Sequence, residues 1–66
     1  MCLCTVWVDV GGESSVVMQD VAVMTAEEDG YVLIDLFGTR KIVRGSIKAL
    51  DFVDEHTVLI EGDAPA

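Results

Sequence analysis

The chain has 66 residues, enough for one domain, and a domain of this length buries only about 60% of the surface that its unfolded form exposes. Its hydrophobic fraction of 52% contains no apolar run near the roughly 20 residues of a membrane span, and its net charge of −8 repels nucleic-acid phosphates. Composition therefore excludes a membrane-spanning helix, disfavours nucleic acid as a general partner, and requires extra stability from a disulfide, a metal ion or a second subunit.

The first half of the chain carries the pattern of three strands. Residues 2–10 place cysteine or valine at every even position and include threonine, tryptophan and aspartate at odd ones, which is the alternation of a half-buried strand. Gly11 and Gly12 can form a tight turn, and residues 16–18 resume an extended apolar run, which indicates a hairpin. Residues 21–26 favour a third strand through their β-branched members, although methionine and alanine leave a short helix open.

The second half begins with an acidic turn and continues as further strands. After the turn at residues 27–30, the chain alternates around Val32, Ile34 and Leu36. Gly45 is expected to break the next extended run into two strands, and a polar turn precedes the last strand. The predicted strands are residues 31–37, 40–44, 47–53 and 57–60.

Six or seven short strands without a helical period predict an all-β fold. We expect a small, strongly bent or barrel-like antiparallel sheet, because closure removes strand edges that would otherwise pair with other chains. Residues 1–61 are expected to form the single β domain and residues 62–66 a flexible C-terminal tail. So short and apolar a chain also predicts a homodimer.

Two cysteines, Cys2 and Cys4, lie at the start of the sequence. With no secretory leader before them, they are expected to be free thiols in the reducing cytoplasm. A cysteine near a chain terminus can close a five-membered ring on a metal ion with its thiolate and its main-chain nitrogen, so Cys2 is the first candidate ligand. Cys4 shares the apolar face of the first strand, where a structural role as a small hydrophobic residue is favoured over a role as a second ligand.

The other candidate residues give weaker signals. His56 and the carboxylates at positions 20 and 27–29 fit solvated turns better than metal sites. No nucleophile is paired with a base and no glycine-rich phosphate loop is present, so the sequence does not indicate an enzyme. The basic residues are expected to pair with carboxylates, and the aromatic residues to lie in a core or interface instead of stacking on bases. The basic residues are Arg40, Lys41, Arg44 and Lys48, and the aromatic residues are Trp7, Tyr31, Phe37 and Phe52.

Five segments carry a family resemblance: Met1-Cys2, residues 17–22 (VMQDVA), 36–41 (LFGTRK), 45–48 (GSIK) and 58–60 (VLI). Together they resemble the CooT family of small nickel-binding proteins, and the likeness spans nearly the whole chain. Members of that family are small β-rich homodimers, and the best-understood one assists nickel delivery during maturation of carbon monoxide dehydrogenase. The family's nickel-binding cysteine directly follows the initiator, which corresponds to Cys2 here. Cys4 is an addition that the family pattern does not require.

The resemblance implies a nickel(II)-binding, metallochaperone-like accessory protein with one Ni(II) per homodimer. Cys2 of each chain would supply a thiolate and a main-chain nitrogen, which is the amino nitrogen if Met1 is removed and an amide nitrogen if Met1 stays. Nickel(II) accepts square-planar nitrogen and sulfur sets, whereas zinc prefers a tetrahedron. The implied partner is a nickel enzyme such as carbon monoxide dehydrogenase, with neither a membrane nor a nucleic acid involved.

A second interpretation needs no metal. A small β-barrel can serve as an RNA-binding or protein-interaction module, and related sequences have been described as RNA-binding. RNA binding would require an exposed aromatic residue beside the basic residues at 40–48. The net charge of −8 counts against it.

Overall fold

Five β-strands account for most of the chain in the computed structural model, which describes residues 3–62. They form a closed barrel, so the all-β, barrel-like prediction is confirmed. Gly62 ends the last strand instead of opening the predicted tail, and residues 63–66 of that tail lie outside the described residues. The strands are β1 (Cys4–Val10), β2 (Glu13–Ala26), β3 (Gly30–Asp35), β4 (Arg40–Asp51) and β5 (Thr57–Gly62).

The barrel closes through one parallel pair of strands. The four pairs between strands consecutive in the chain are antiparallel, as predicted. The first and last strands run parallel, with Val6 opposite Val58 and Val8 opposite Ile60. This pairing gives β1 and β5 a neighbour on each side, and it corrects the expectation of a purely antiparallel sheet.

The prediction of six or seven strands is wrong because two runs bend without ending. Asp20 takes a φ of 54°, a left-handed conformation that aspartate tolerates better than most residues, and β2 continues beyond it. Gly45, with a φ of 133°, bends β4 at the expected break, and that strand also continues. Four predicted strands therefore merge into two, and the short helix considered for residues 21–26 is a strand.

Two predicted strands also end earlier than expected, for one shared reason. The side-chain oxygen Oδ1 of Asp35 accepts hydrogen bonds from the backbone N–H groups of Phe37 and Thr39, each at 2.9 Å. Asp51 Oδ1 likewise accepts from the N–H groups of Val53 and Asp54 at 3.0 Å. Each aspartate folds the following backbone into a turn, so the donors are not available to a ladder.

Glycine makes room where the bent β4 passes close to its neighbours. Gly45 lies opposite Gly62 in β5, and Gly30 of β3 lies opposite Arg44. A Cβ atom on Gly62 would lie 2.5 Å from the Arg44 carbonyl oxygen, and one on Gly45 would collide with the Glu61 carbonyl oxygen. Only a residue without a side chain therefore fits at this crossing.

Aliphatic side chains from all five strands fill the barrel. Leu33 and Val43 meet Val6, Val8 and Ile60, and none of these five has solvent-exposed surface. Full burial of one such side chain is worth roughly 1.5–3 kcal/mol. The other members of the core are Val17, Met18, Val21 and Val58.

A charged cluster ties β1 to β4 and β5 on the barrel surface. Lys48 donates from Nζ to Oδ2 of Asp9 at 2.9 Å, and an oxygen of Glu61 lies 3.8 Å from the same nitrogen. The hydrogen bond from Lys48 holds the pKa of the Asp9 carboxyl below its ordinary value, and the bond to Asp9 raises the pKa of Lys48. The Asp9 side chain is only 12% exposed, and this partial burial acts in the opposite direction by raising the pKa.

Replacement of Gly45 or Gly62 by alanine is expected to destabilise the barrel severely. The new Cβ atom would overlap a neighbouring strand, and we expect each variant to lose about 2–4 kcal/mol of unfolding free energy in urea denaturation. Gly38→Ala is the control, because Gly38 also has a positive φ of 88° but nothing lies within 4 Å of its added Cβ. A loss in Gly45→Ala no larger than in this control would refute the close crossing.

Asp9→Asn is expected to destabilise the protein at neutral pH but not at low pH. Folding lowers the pKa of Asp9, so its carboxylate stabilises the folded state above the ordinary value of 3.8. That contribution disappears as pH falls through the lowered pKa of the folded protein. Urea midpoints should therefore differ between wild type and variant at neutral pH and converge in acid, below the lowered pKa of Asp9. The exposed Glu55→Gln should match wild type throughout, and a gap that persists in acid would contradict the assignment.

Candidate metal-binding terminus and apolar cleft

The predicted ligand Cys2 lies outside the described residues, and the described cysteine nearest to it in sequence is Cys4. Cys4 is a free thiol, half-buried, and opens β1 opposite Val21. It packs against the hydrophobic core, as a small apolar side chain would. Within residues 3–62, no group of three or more histidine, cysteine, aspartate or glutamate side chains could hold a metal ion.

Cys4 lies at an apolar cleft of about 350 Å³. Among residues 3–62, no charged side chain lines this cleft. Core residues form its floor, and partly or largely exposed side chains of β2, β4 and the turn after β4 form its rim. The lining residues are Cys4, Val6, Val21, Ala22, Val23, Met24, Ala26, Tyr31, Ile47, Leu50, Phe52 and Val58.

The two bends create the apolar cleft. Before its bend β2 pairs with β1, whereas residues 23–26 pair with β3 and with no other strand in the described part of the chain. In the same way β4 pairs first with β3, and beyond Gly45 it pairs with β5. The second halves of β2 and β4 thus belong to different sides of the barrel, and their apolar side chains flank the gap between them.

A fixed turn completes one rim of the cleft. Hydrogen bonds from the backbone N–H groups of Asp54 and Val53 hold the pKa of Asp51 below its ordinary value, so its carboxylate is charged and anchors the turn. This turn leaves Phe52 60% exposed at the cleft and Val53 85% exposed beside it. Exposed apolar side chains on an ordered turn are suited to contact another molecule.

Two of the four basic residues pair with carboxylates, as expected. One forms the surface cluster of β1, β4 and β5 described above, and Arg44 Nη1 lies 3.8 Å from Oδ2 of Asp29. Lys41 instead donates from Nζ to the Val17 carbonyl oxygen at 3.0 Å. Arg40 is exposed and forms no ion pair with any residue from 3 to 62.

His56 has a backbone role at the start of the barrel. Its φ is 53°, and its carbonyl oxygen accepts the N–H of Thr5 at 3.0 Å. This bond aligns the beginnings of β1 and β5, whose first ladder pair joins Thr5 to Thr57. Sequence reasoning treated His56 only as a turn residue, whereas the fold brings its backbone to the cysteine-containing start of β1.

The four aromatic residues do not assemble into one stacking surface. Tyr31 packs against the core and Trp7 is half-buried. Phe37 and Phe52 are 82% and 60% exposed, but they lie in the turns at opposite ends of β4. The base-stacking platform of the alternative interpretation is therefore not formed by these side chains.

The fold and the cleft define a small five-stranded β-barrel protein whose cysteine-containing start borders an uncharged apolar surface. The sequence profile described as CO dehydrogenase accessory protein CooT matches residues 1–61. The chain therefore belongs to the CooT family, which confirms the resemblance seen in its segments. Family membership associates the chain with an accessory role to CO dehydrogenase, and an accessory protein is not itself the catalyst.

Two relatives cover almost the whole chain. An uncharacterised protein of Methanocaldococcus jannaschii is 39% identical over 62 residues, which are 94% of this chain and 100% of the relative. A crystal structure assigned to CooT from Carboxydothermus hydrogenoformans has a TM-score of 0.82 and 28% sequence identity, with coverage of 96% of this chain and 100% of that one. Residues 3–62 contain no helix with the length and hydropathy that crossing a membrane requires.

Proposed function

We propose that this protein is a nickel(II)-binding, metallochaperone-like accessory protein that binds one Ni(II) per homodimer through Cys2 of both chains. The observation that carries the proposal is the position of Cys4 at the apolar cleft. Cys2 comes two positions before Cys4 in the sequence, and two residues of chain span at most about 7 Å. Membership of the CooT family supports the accessory role.

The apolar cleft is the surface best suited to join two copies. Each chain carries a net charge of −8, so two copies repel each other at long range. A contact surface without charge adds no local repulsion to this. The cleft has an uncharged lining, and the exposed Leu50 and Phe52 can be buried by a second copy. Residues 23–26 of β2 also have a free edge among the described strands. A two-fold contact here would bring the two chain starts close together.

The chemistry of one cysteine at a chain start matches nickel(II). Each Cys2 offers one thiolate sulfur and one main-chain nitrogen, so two chains offer the four donors of a square-planar site. Cys4 suits this set less well, because residues two apart on a strand are separated by about 6.6 Å along its axis. Its packing against the core also favours a structural role.

In this proposal nickel is cargo for a client enzyme. The family's description identifies carbon monoxide dehydrogenase as the enzyme that CooT proteins serve. Free thiolates survive in a reducing compartment, so the proposed location is the cytoplasm. An apolar contact around the metal would also protect the thiolates from oxidation.

Cys2→Ser is expected to abolish nickel binding, whereas Cys4→Ser should retain it. Titration of Ni(II) into protein with its native start, followed by the sulfur-to-nickel absorption band, should saturate at one ion per two wild-type chains. An N-terminal tag must be avoided because it would alter the nitrogen donor. Zinc and copper serve as competing ions to establish selectivity.

His56→Asn is the matched control for this titration. Asparagine tolerates the positive φ of 53° at this position but removes the imidazole of a residue whose backbone bonds to Thr5 in β1. It should bind nickel like wild type. Undiminished binding by Cys2→Ser would refute the proposed site, and loss of binding in Cys4→Ser would show that both thiols are needed.

Leu50→Ser and Phe52→Ser are expected to weaken the dimer. Each removes an exposed apolar side chain at the cleft, and we expect the dissociation constant from sedimentation to rise at least about tenfold. Val53→Ser is the control, because Val53 is 85% exposed in the same turn but does not line the cleft. A monomeric wild-type protein at micromolar concentration, or an equal effect of the control, would reject this interface.

A further inference from the structure

The barrel carries a second apolar surface, on the outside of the sheet formed by β3 and its neighbours. Leu33 points into the core, so the residues on either side of it in β3 point outward. Two cross-strand rows follow from the ladder register. We call this surface the outer sheet face, and its residues are Val23, Ile34 and Arg40 in one row and Thr25, Val32 and Ile42 in the other.

This composition is unusual for a face in contact with water. An antiparallel sheet with one solvated face normally alternates apolar and polar residues, whereas β3 is apolar on both faces around Leu33. Val23 is 47% exposed and Ile42 is 56% exposed, with Val32 and Ile34 half-buried between them. Four contiguous aliphatic side chains of this kind indicate a surface that another molecule covers.

An exposed aromatic residue lies in the turn that joins two strands of the outer sheet face. Phe37 is 82% exposed in the turn between β3 and β4. The two hydrogen bonds to Asp35 described above hold the backbone of this turn in one shape, so the backbone that carries Phe37 loses little conformational entropy when a partner buries the ring. Rigid aromatic residues beside aliphatic ones are frequent centres of binding energy.

Charge distinguishes the outer sheet face from the cleft. Arg40 lies within the outer face and has no ion pair in the described part of the chain, and Arg44 lies at its border. If the outer sheet faces of two copies packed against each other, the contact would enclose the cations of both copies. These cations could pair with carboxylates of a second copy only if a different, acidic surface of that copy met the face. The uncharged cleft suits self-association better, which leaves the outer face for a different molecule.

We propose that the outer sheet face docks a client protein through a surface whose apolar side chains are flanked by carboxylates. Arg40 would pair with a carboxylate of the client, and the aliphatic rows with Phe37 would bury its apolar residues. This proposal rests on the proposed function in one respect: the client is the nickel enzyme. The face shares Val23 and Thr25 of β2 with the proposed dimer contact, whereas its β3 and β4 residues lie apart from the cleft lining, so a client that contacts those two strands can bind without opening the dimer.

Binding to nickel-free carbon monoxide dehydrogenase of the same organism tests the outer sheet face. Titration calorimetry of the full-length protein should give binding that Ile42→Ser and Arg40→Gln weaken at least tenfold. Two controls change other parts of the barrel in the same chemical way: Val16→Ser alters an exposed valine of β2, and Lys48→Gln removes one positive charge from the Asp9 cluster. Both controls should bind within about twofold of wild type. Circular dichroism verifies that each variant is folded.

Each other result overturns the docking proposal. The face is rejected as the client surface if wild type and both face variants bind equally, if the controls weaken binding as much as the face variants do, or if wild type does not bind. A rise in the dimer dissociation constant in Ile42→Ser would instead assign the face to a second copy. Salt-sensitive binding of single-stranded RNA that requires Phe37 and Arg40 would assign it to RNA. Nickel titration is independent of these results, so failure here is distinguishable from failure of the proposed function.

Discussion

The close backbone crossing of β4 and β5 is the constraint on which the rest of this small barrel depends. Gly45 faces Gly62 there, and neither position has space for a Cβ atom. The bend at Gly45, together with the bend at Asp20, allows two long strands to pair with different neighbours along their lengths. Five strands can then enclose one aliphatic core, which is otherwise difficult in a chain of 66 residues.

The same bends place an apolar cleft beside the start of β1. The second halves of β2 and β4 diverge after their bends, and the start of β1 with Cys4 lies between them. The cleft, where the barrel is closed less completely, thus lies at Cys4, two positions after the candidate ligand Cys2 in the sequence. The cost of this arrangement is exposed apolar area, which a second subunit can remove from water.

Alternation and turn residues in the sequence predicted the all-β barrel and most of its strands. They located the bend at Gly45 but predicted the end of a strand there, and they did not predict the bend at Asp20, because its positive φ results from tertiary pairing and leaves no signal in the local pattern. The sequence pattern set the alternation of residues 31–37 on Val32, Ile34 and Leu36, whereas packing selects Leu33 of β3 for the core, since the neighbours of Leu33 are equally apolar. Cys2 emerged from chemistry and family resemblance. The cleft beside Cys4 did not, because its lining comes from segments far apart in the sequence.

The uneven distribution of charge gives the two apolar surfaces different roles. A chain with a net charge of −8 repels its own copies at long range, so self-association is favoured only where both contacting surfaces are uncharged and apolar, as the cleft is. The outer sheet face presents Arg40 within aliphatic rows, and desolvating that cation against a second apolar surface would be unfavourable without a carboxylate partner. A partner of complementary charge removes this penalty. On the two proposals above, one small barrel would hold a metal between two copies and present a separate surface to the enzyme that receives it.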